Sequence, residues 1–78
     1  MVLYNSMRGN FYYKRLGSRI CGERKCRDMT QEKLAFLAEV DRTYLARIEE
    51  GKANPTVKVL YKLSKSLRIR LCDLLRGV

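Results

Sequence analysis

Apolar residues in this chain recur at three- and four-residue intervals and do not alternate in twos, so the pattern is helical from end to end. Leu16 and Ile20, four apart, give one face to a first helix over about 12–27. Gly22 falls inside that span and costs about 1 kcal/mol relative to alanine. Residues 1–11 lack a clear period and include Asn5, Ser6, Gly9 and Asn10, which makes them an N-terminal arm ahead of a domain over 12–78. A second helix follows Thr30, an N-cap residue, with Glu32 in its first turn and Leu34, Leu37 and Ala38 as its inward stripe. Asp41 caps a third helix, Arg42–Glu50, which stops at Gly51. Met29 with Leu34, and Val40 with Leu45, are spaced as hydrophobic staples across the two caps.

Two capped helices this close together, joined by about three residues, form a helix-turn-helix. Lys52–Pro55 reads as a loop, and Thr56 caps a fourth helix carrying Val57, Leu60, Leu63 and Leu67 on one face. Leu71–Arg76 makes a short fifth helix. The expected fold is all-α: a compact five-helix bundle containing a helix-turn-helix.

Composition narrows the function. The chain has 78 residues, a net charge of +9 and no histidine, which removes the commonest general base and metal ligand. No enzyme chemistry, metal, cofactor or small-molecule ligand is evident, and no apolar stretch is long enough to span a membrane or form a secretory signal. Three cysteines, Cys21, Cys26 and Cys72, match neither a zinc hook nor a disulfide framework and are expected as small buried apolar residues in a reducing, cytoplasmic setting. The charge is divided: residues 1–27 and 52–78 each carry +6, whereas residues 28–51 carry −3. Such flanks favour a polyanion, either nucleic acid or an anionic membrane surface.

The third helix separates those partners. Leu45 and Ile48 fix its inward side, leaving Thr43, Ala46, Arg47 and Glu50 outward, with Arg42 and Tyr44 flanking the N-terminal end. Arginine pairs with the O6/N7 edge of guanine, threonine offers a hydroxyl and a methyl, and tyrosine reaches a base or a phosphate. The same residues would also make an ordinary solvated face. Glu49 lies on the inward flank beside Ile48, where a basic partner would be needed if it is buried.

Met29-Thr30-Gln31-Glu32-Lys33-Leu34-Ala35, followed by the run from Asp41 to Lys52, resembles the Cro/C1-type (xenobiotic-response-element-type, lambda-repressor-like) helix-turn-helix family over about Leu16–Leu75. Asp41-Arg42-Thr43-Tyr44 is particularly similar to the recognition helix of restriction–modification controller proteins. The resemblance implies a bacterial or phage-encoded, nucleoid-associated transcriptional regulator that binds double-stranded DNA as a homodimer on a palindromic operator. It implies base contacts from Arg42, Thr43, Tyr44 and Arg47, and phosphate contacts from Gln31, Lys52 and Asn54. It also implies a buried salt bridge between Arg24 and Glu49, a small residue at Ala35, and a glycine-type turn where this chain has Glu39. An antitoxin-like protein-binding module on the same fold is the alternative. Ile69, Leu71, Leu74 and Leu75 are crowded at the C-terminal end as a candidate dimer interface, or else they close the bundle. Tyr4, Phe11, Tyr12 and Tyr13 form a second candidate surface for a dimer or for DNA.

Overall fold

Thr30, Asp41 and Thr56 each sit in extended backbone, and each accepts a hydrogen bond from the amide three residues on. Those caps satisfy amides that have no acceptor inside their helices, and they fix where three of the five helices begin. The computed structural model describes the backbone of residues 2–78 and the side chains of residues 11–78. Its helices are α1 (Val2–Cys26), α2 (Gln31–Ala38), α3 (Arg42–Glu49), α4 (Val57–Leu67) and α5 (Leu71–Leu74), with no strand among the described residues.

Helix α1 starts at Val2, ten residues before the expected start near residue 12. Once a helix has nucleated, each added residue gains a hydrogen bond without a new nucleation cost, and no proline interrupts residues 2–11. The arm is therefore a helical extension in its backbone. The side chain of Tyr4 lies outside the described residues; Phe11 and Tyr12 are exposed and Tyr13 is half-buried. Helix α3 ends at Glu49, with Glu50 as its cap, and α5 ends at Leu74, two residues short of the expected Arg76.

The core is built from Leu16 and Ile20 of α1, Leu34, Ala35 and Ala38 of α2, Leu45 and Ile48 of α3, Leu60, Leu63 and Leu67 of α4, and Leu74 of α5. Met29 and Val40, the two staple residues, pack against it. Two positions expected inward are not. Leu37 is 43% exposed because it lies roughly 100° round α2 from the mean direction of Leu34, Ala35 and Ala38. Val57 is 71% exposed, about 80° off the Leu60–Leu63–Leu67 face at the first position of α4. The cysteines also differ from expectation: Cys21 is half-buried, while Cys26 and Cys72 are exposed. Cys26 falls about 200° round α1 from the buried Arg24, on the solvent side.

The C-terminal apolar group divides as well. Leu74 is fully buried in its own chain, so it closes the bundle and is not an interface residue. Ile69 and Leu71 are half-buried against the core, and Leu75 is 38% exposed. Helix α5 has no side-chain cap; instead Arg19 of α1 donates from Nη2 to the Asp73 carbonyl at 2.9 Å, holding α5 against α1.

Glu39 adopts the left-handed conformation, φ 57° and ψ 46°, at a strain of about 1 kcal/mol for a residue with a Cβ. Its amide points back to the Ala35 and Phe36 carbonyls, and that closure turns the chain from α2 into α3.

Helix α1 crosses α3 at Gly17. A Cβ there would lie 2.3 Å from the Ile48 carbonyl oxygen and 2.6 Å from that of Glu49, both backbone atoms that cannot swing aside. Gly22, on the same helix, has nothing within 4 Å of such a Cβ. The two glycines should therefore respond oppositely to alanine. Gly22→Ala is expected to stabilise the protein by about 1 kcal/mol, and Gly17→Ala to destabilise it by about 1–3 kcal/mol or more. Urea denaturation of both variants checks this; two shifts of the same sign would contradict the crossing geometry.

Candidate nucleic-acid interface

The surface that could read a base is carried by α3, and the position of α3 is set from behind. Glu49 faces the junction of α1, α2 and α3, with its side chain only 4% exposed. Arg24 of α1 meets it with two parallel hydrogen bonds: Nε donates to Oε2 at 2.8 Å and Nη2 to Oε1 at 2.9 Å. Such a forked pair fixes orientation as well as distance. The remaining donor, Nη1, reaches the Met29 carbonyl at 2.7 Å, so Arg24 also holds the chain entering α2. Its Nη2 touches Cys21 Sγ at 3.6 Å.

Gln31, the first residue of α2, donates from Nε2 to Glu49 Oε1 at 3.0 Å. One carboxylate thus collects a donor from α1 and another from α2, tying both to the end of α3. Burial pushes the Glu49 carboxyl up, but hydrogen bonds from Arg24 and Gln31, with the Arg24 charge, outweigh that and hold it below the usual carboxylate range. The Glu49 hydrogen bond in turn raises Arg24. This use of the Gln31 side chain differs from the phosphate contact expected of it; the half-buried amide turns inward to Glu49.

Arg42, Thr43 and Arg47 are exposed. Thr43 and Arg47 lie roughly 120° and 160° round α3 from Glu49, whereas Arg42, seven residues before Glu49, shares its side of the helix at the N-terminal end. Tyr44 is half-buried, its ring packed against the core, so it is less free than the sequence suggests. Asp41 Oδ2 accepts from the Tyr44 amide at 3.2 Å and sets the first turn. Arg47 donates from Nη2 to the Lys52 carbonyl at 3.0 Å, pinning the loop after α3 to the helix itself. Lys52 and Asn54 are exposed on that loop, and Lys52 Nζ lies 3.7 Å from Glu50 Oε1. The outward carboxylate of Glu50 is thereby partly offset. Arg42, Thr43, Arg47, Lys52 and Asn54 are each exposed, and Arg47 and Lys52 are joined directly, in a different environment from the apolar C-terminal group.

The helix-turn-helix family model designated HTH_3 matches residues 23–74, a stretch that holds α2, α3, α4 and α5 whole. The chain belongs to this helix-turn-helix family. It is 44% identical over 48 residues to the control protein C.BamHI of Bacillus amyloliquefaciens, covering 62% of this chain and 59% of that one. The chain therefore spans less than two thirds of the length of that relative. Among solved structures it is similar to the restriction–modification controller protein C.AhdI of Aeromonas hydrophila, with a TM-score of 0.78 and 32% identity, covering 80% of this chain and 94% of that one. It is similar also to the restriction–modification controller protein C.Esp1396I, solved as a tetramer with its natural 35 base-pair operator. There the TM-score is 0.76 and the identity 32%, over 83% of this chain and 90% of that one.

The network around Glu49 includes two atoms not anticipated from the sequence: the Met29 carbonyl and Cys21 Sγ of α1. The spacing of Cys21 and Arg24, three apart on one helix face, was the available signal for the second. The family region is one of regulatory proteins rather than enzymes.

Removing Glu49 leaves the Arg24 guanidinium buried without its counter-charge. Glu49→Ala is expected to cost about 3–5 kcal/mol, seen as a large fall in the denaturation midpoint. The sign of the pH dependence follows from the lowered carboxyl. Its contribution is complete above the unfolded-state value and is lost as pH falls through the lower folded-state value. The stability gap between the wild type and Glu49→Gln should therefore be constant near neutrality and narrow progressively in acid. A gap that widens as pH falls would contradict the ion pair.

Proposed function

We propose that this protein is a sequence-specific DNA-binding transcriptional regulator, acting as a homodimer on a palindromic operator in the manner of a restriction–modification controller. The observation that carries the reading is the exposed part of α3, where Arg42, Thr43 and Arg47 stand in solvent while Glu49, at the C-terminal end, locks the helix to α1 and α2. A rigidly held helix with bidentate donors on its free face suits the major groove. Arg42, Thr43, Tyr44 and Arg47 read bases, Tyr44 with its hydroxyl end. Lys52 and Asn54 hold phosphates from the loop. Gln31 contributes through the first-turn amides of α2, which favour an anion, while its side chain stays on Glu49.

Self-association is assigned to Ile69, Leu71 and Leu75, the C-terminal apolar residues not consumed by the core. The tetrameric operator complex of C.Esp1396I supports assembly of several copies on one operator. The strongly basic flanks supply sequence-independent attraction, and the acidic middle segment leaves discrimination to a few side chains. The place of action is the bacterial cytoplasm, on the nucleoid.

Selection of bound sites from random duplex DNA tests this directly. A recovered palindrome supports the regulator; recovery of no preferred sequence overturns it. On the selected operator, Arg42→Ala and Arg47→Ala are each expected to relax base discrimination by about 1–3 kcal/mol, whereas Lys52→Ala weakens all sequences alike. Titrations at matched salt, on operator and scrambled DNA, distinguish the two behaviours.

A further inference from the structure

Lys14 lies outside the matched helix-turn-helix region, on the part of α1 that precedes it. Its surroundings tie it to the candidate interface all the same. Gly51, which ends α3 with φ at +76°, sits directly against it: a Cβ on Gly51 would be 2.6 Å from Lys14 Cγ and 2.8 Å from Lys14 Cα. Only a residue without a side chain permits that approach, and the left-handed backbone there favours glycine for a second reason. The Lys14 stem therefore packs against the backbone immediately before Lys52.

That backbone is itself fixed to α3. The Gly51 amide donates to the Ile48 carbonyl at 3.0 Å, the Lys52 amide to the Arg47 carbonyl at 2.9 Å, and the Arg47 guanidinium to the Lys52 carbonyl at 3.0 Å. A continuous connection runs from Arg47 through Lys52 and Gly51 to Lys14. The position of Lys14 is thus set relative to α3 rather than left to a separate arm. Lys14 is exposed. The chain has no acidic residue before Glu23, so α1 brings no counter-charge of its own to this edge. The exposed carboxylate of Glu50, the cap of α3, lies 3.7 Å from Lys52 Nζ.

We propose that Lys14 is a DNA-backbone contact. In this assignment it binds a phosphate beyond those met by Lys52 and Asn54, so the footprint extends past the helix-turn-helix along α1. It carries no sequence information and adds affinity to all duplexes equally. The proposal rests on the DNA-binding reading above.

The test is the salt dependence of binding to the selected operator and to scrambled DNA, for wild type, Lys14→Gln and Lys65→Gln. Lys65 lies beside Leu37 and Arg68, toward the end of α4, and provides the same loss of charge away from this edge. Each phosphate contact contributes about 0.9 to the slope of log K against log salt. Lys14→Gln is expected to lower that slope by about this amount on both DNAs, with base discrimination intact. Lys65→Gln should leave the slope unchanged, and Lys14→Arg should restore it. Thermal melting of each variant confirms that the fold is retained. A wild-type slope in Lys14→Gln, or an equal loss in Lys65→Gln, overturns the contact while leaving the DNA-binding reading in place. Failure of the wild type to select or bind DNA overturns both.

Discussion

Glu49 brings a negative charge to the place where α1, α2 and α3 converge, and the shape of the exposed α3 face depends on how that charge is answered. Its side chain is almost wholly removed from water. An isolated carboxylate there would be heavily penalised, so the packing of three helices is possible only with Arg24 and Gln31 in place. The pair is better regarded as a constraint than as a source of net stability, because desolvation offsets much of its attraction. Its effect is geometric: two forked bonds from α1 and one from α2 leave α3 little freedom to rotate or slide. Gly17, beneath the Ile48 and Glu49 carbonyls, allows α1 to come close enough for Arg24 to reach.

The capped part of the chain was the most legible in sequence. Thr30, Asp41 and Thr56 announce helix starts by local chemistry, and Glu39 occupies the position where a left-handed residue is needed. The pairing of Arg24 with Glu49 came from family resemblance and from the placement of Glu49 beside Ile48; the structure brings them together. Less legible were features set by tertiary neighbours. Leu37 and Val57 satisfy a loose helical stripe yet lie too far round their helices to be covered. Leu74 looks like Leu75 in sequence, and only the docking of α5 separates a core residue from a surface one. The continuation of α1 to Val2 was hidden because a helix extended from an existing one requires no apolar period of its own.

Charge and shape divide the work between separate parts of the molecule. The excess positive charge lies in the segments before Asp28 and after Gly51, whereas the helix-turn-helix between them is net acidic. Gly51 joins the two regimes: it ends α3 and seats the loop bearing Lys52 and Asn54 against Lys14 of α1. Long-range attraction from the flanks is screened by salt, whereas the base contacts proposed for α3 are short-ranged and directional. Under the proposed function, the flanks supply affinity for any duplex and a few rigidly held side chains supply the selectivity.

The central claim is that Arg24 and Glu49 act as one unit in holding α3, and a double-mutant cycle on folding stability measures it most directly. Arg24→Met and Glu49→Leu should each be strongly destabilising alone, since each strands the other's charge. Combined, they should cost far less than the sum of the two, with a coupling of at least about 2 kcal/mol. Additive losses, agreeing to within about 0.5 kcal/mol, would show two independent surface charges and contradict the account.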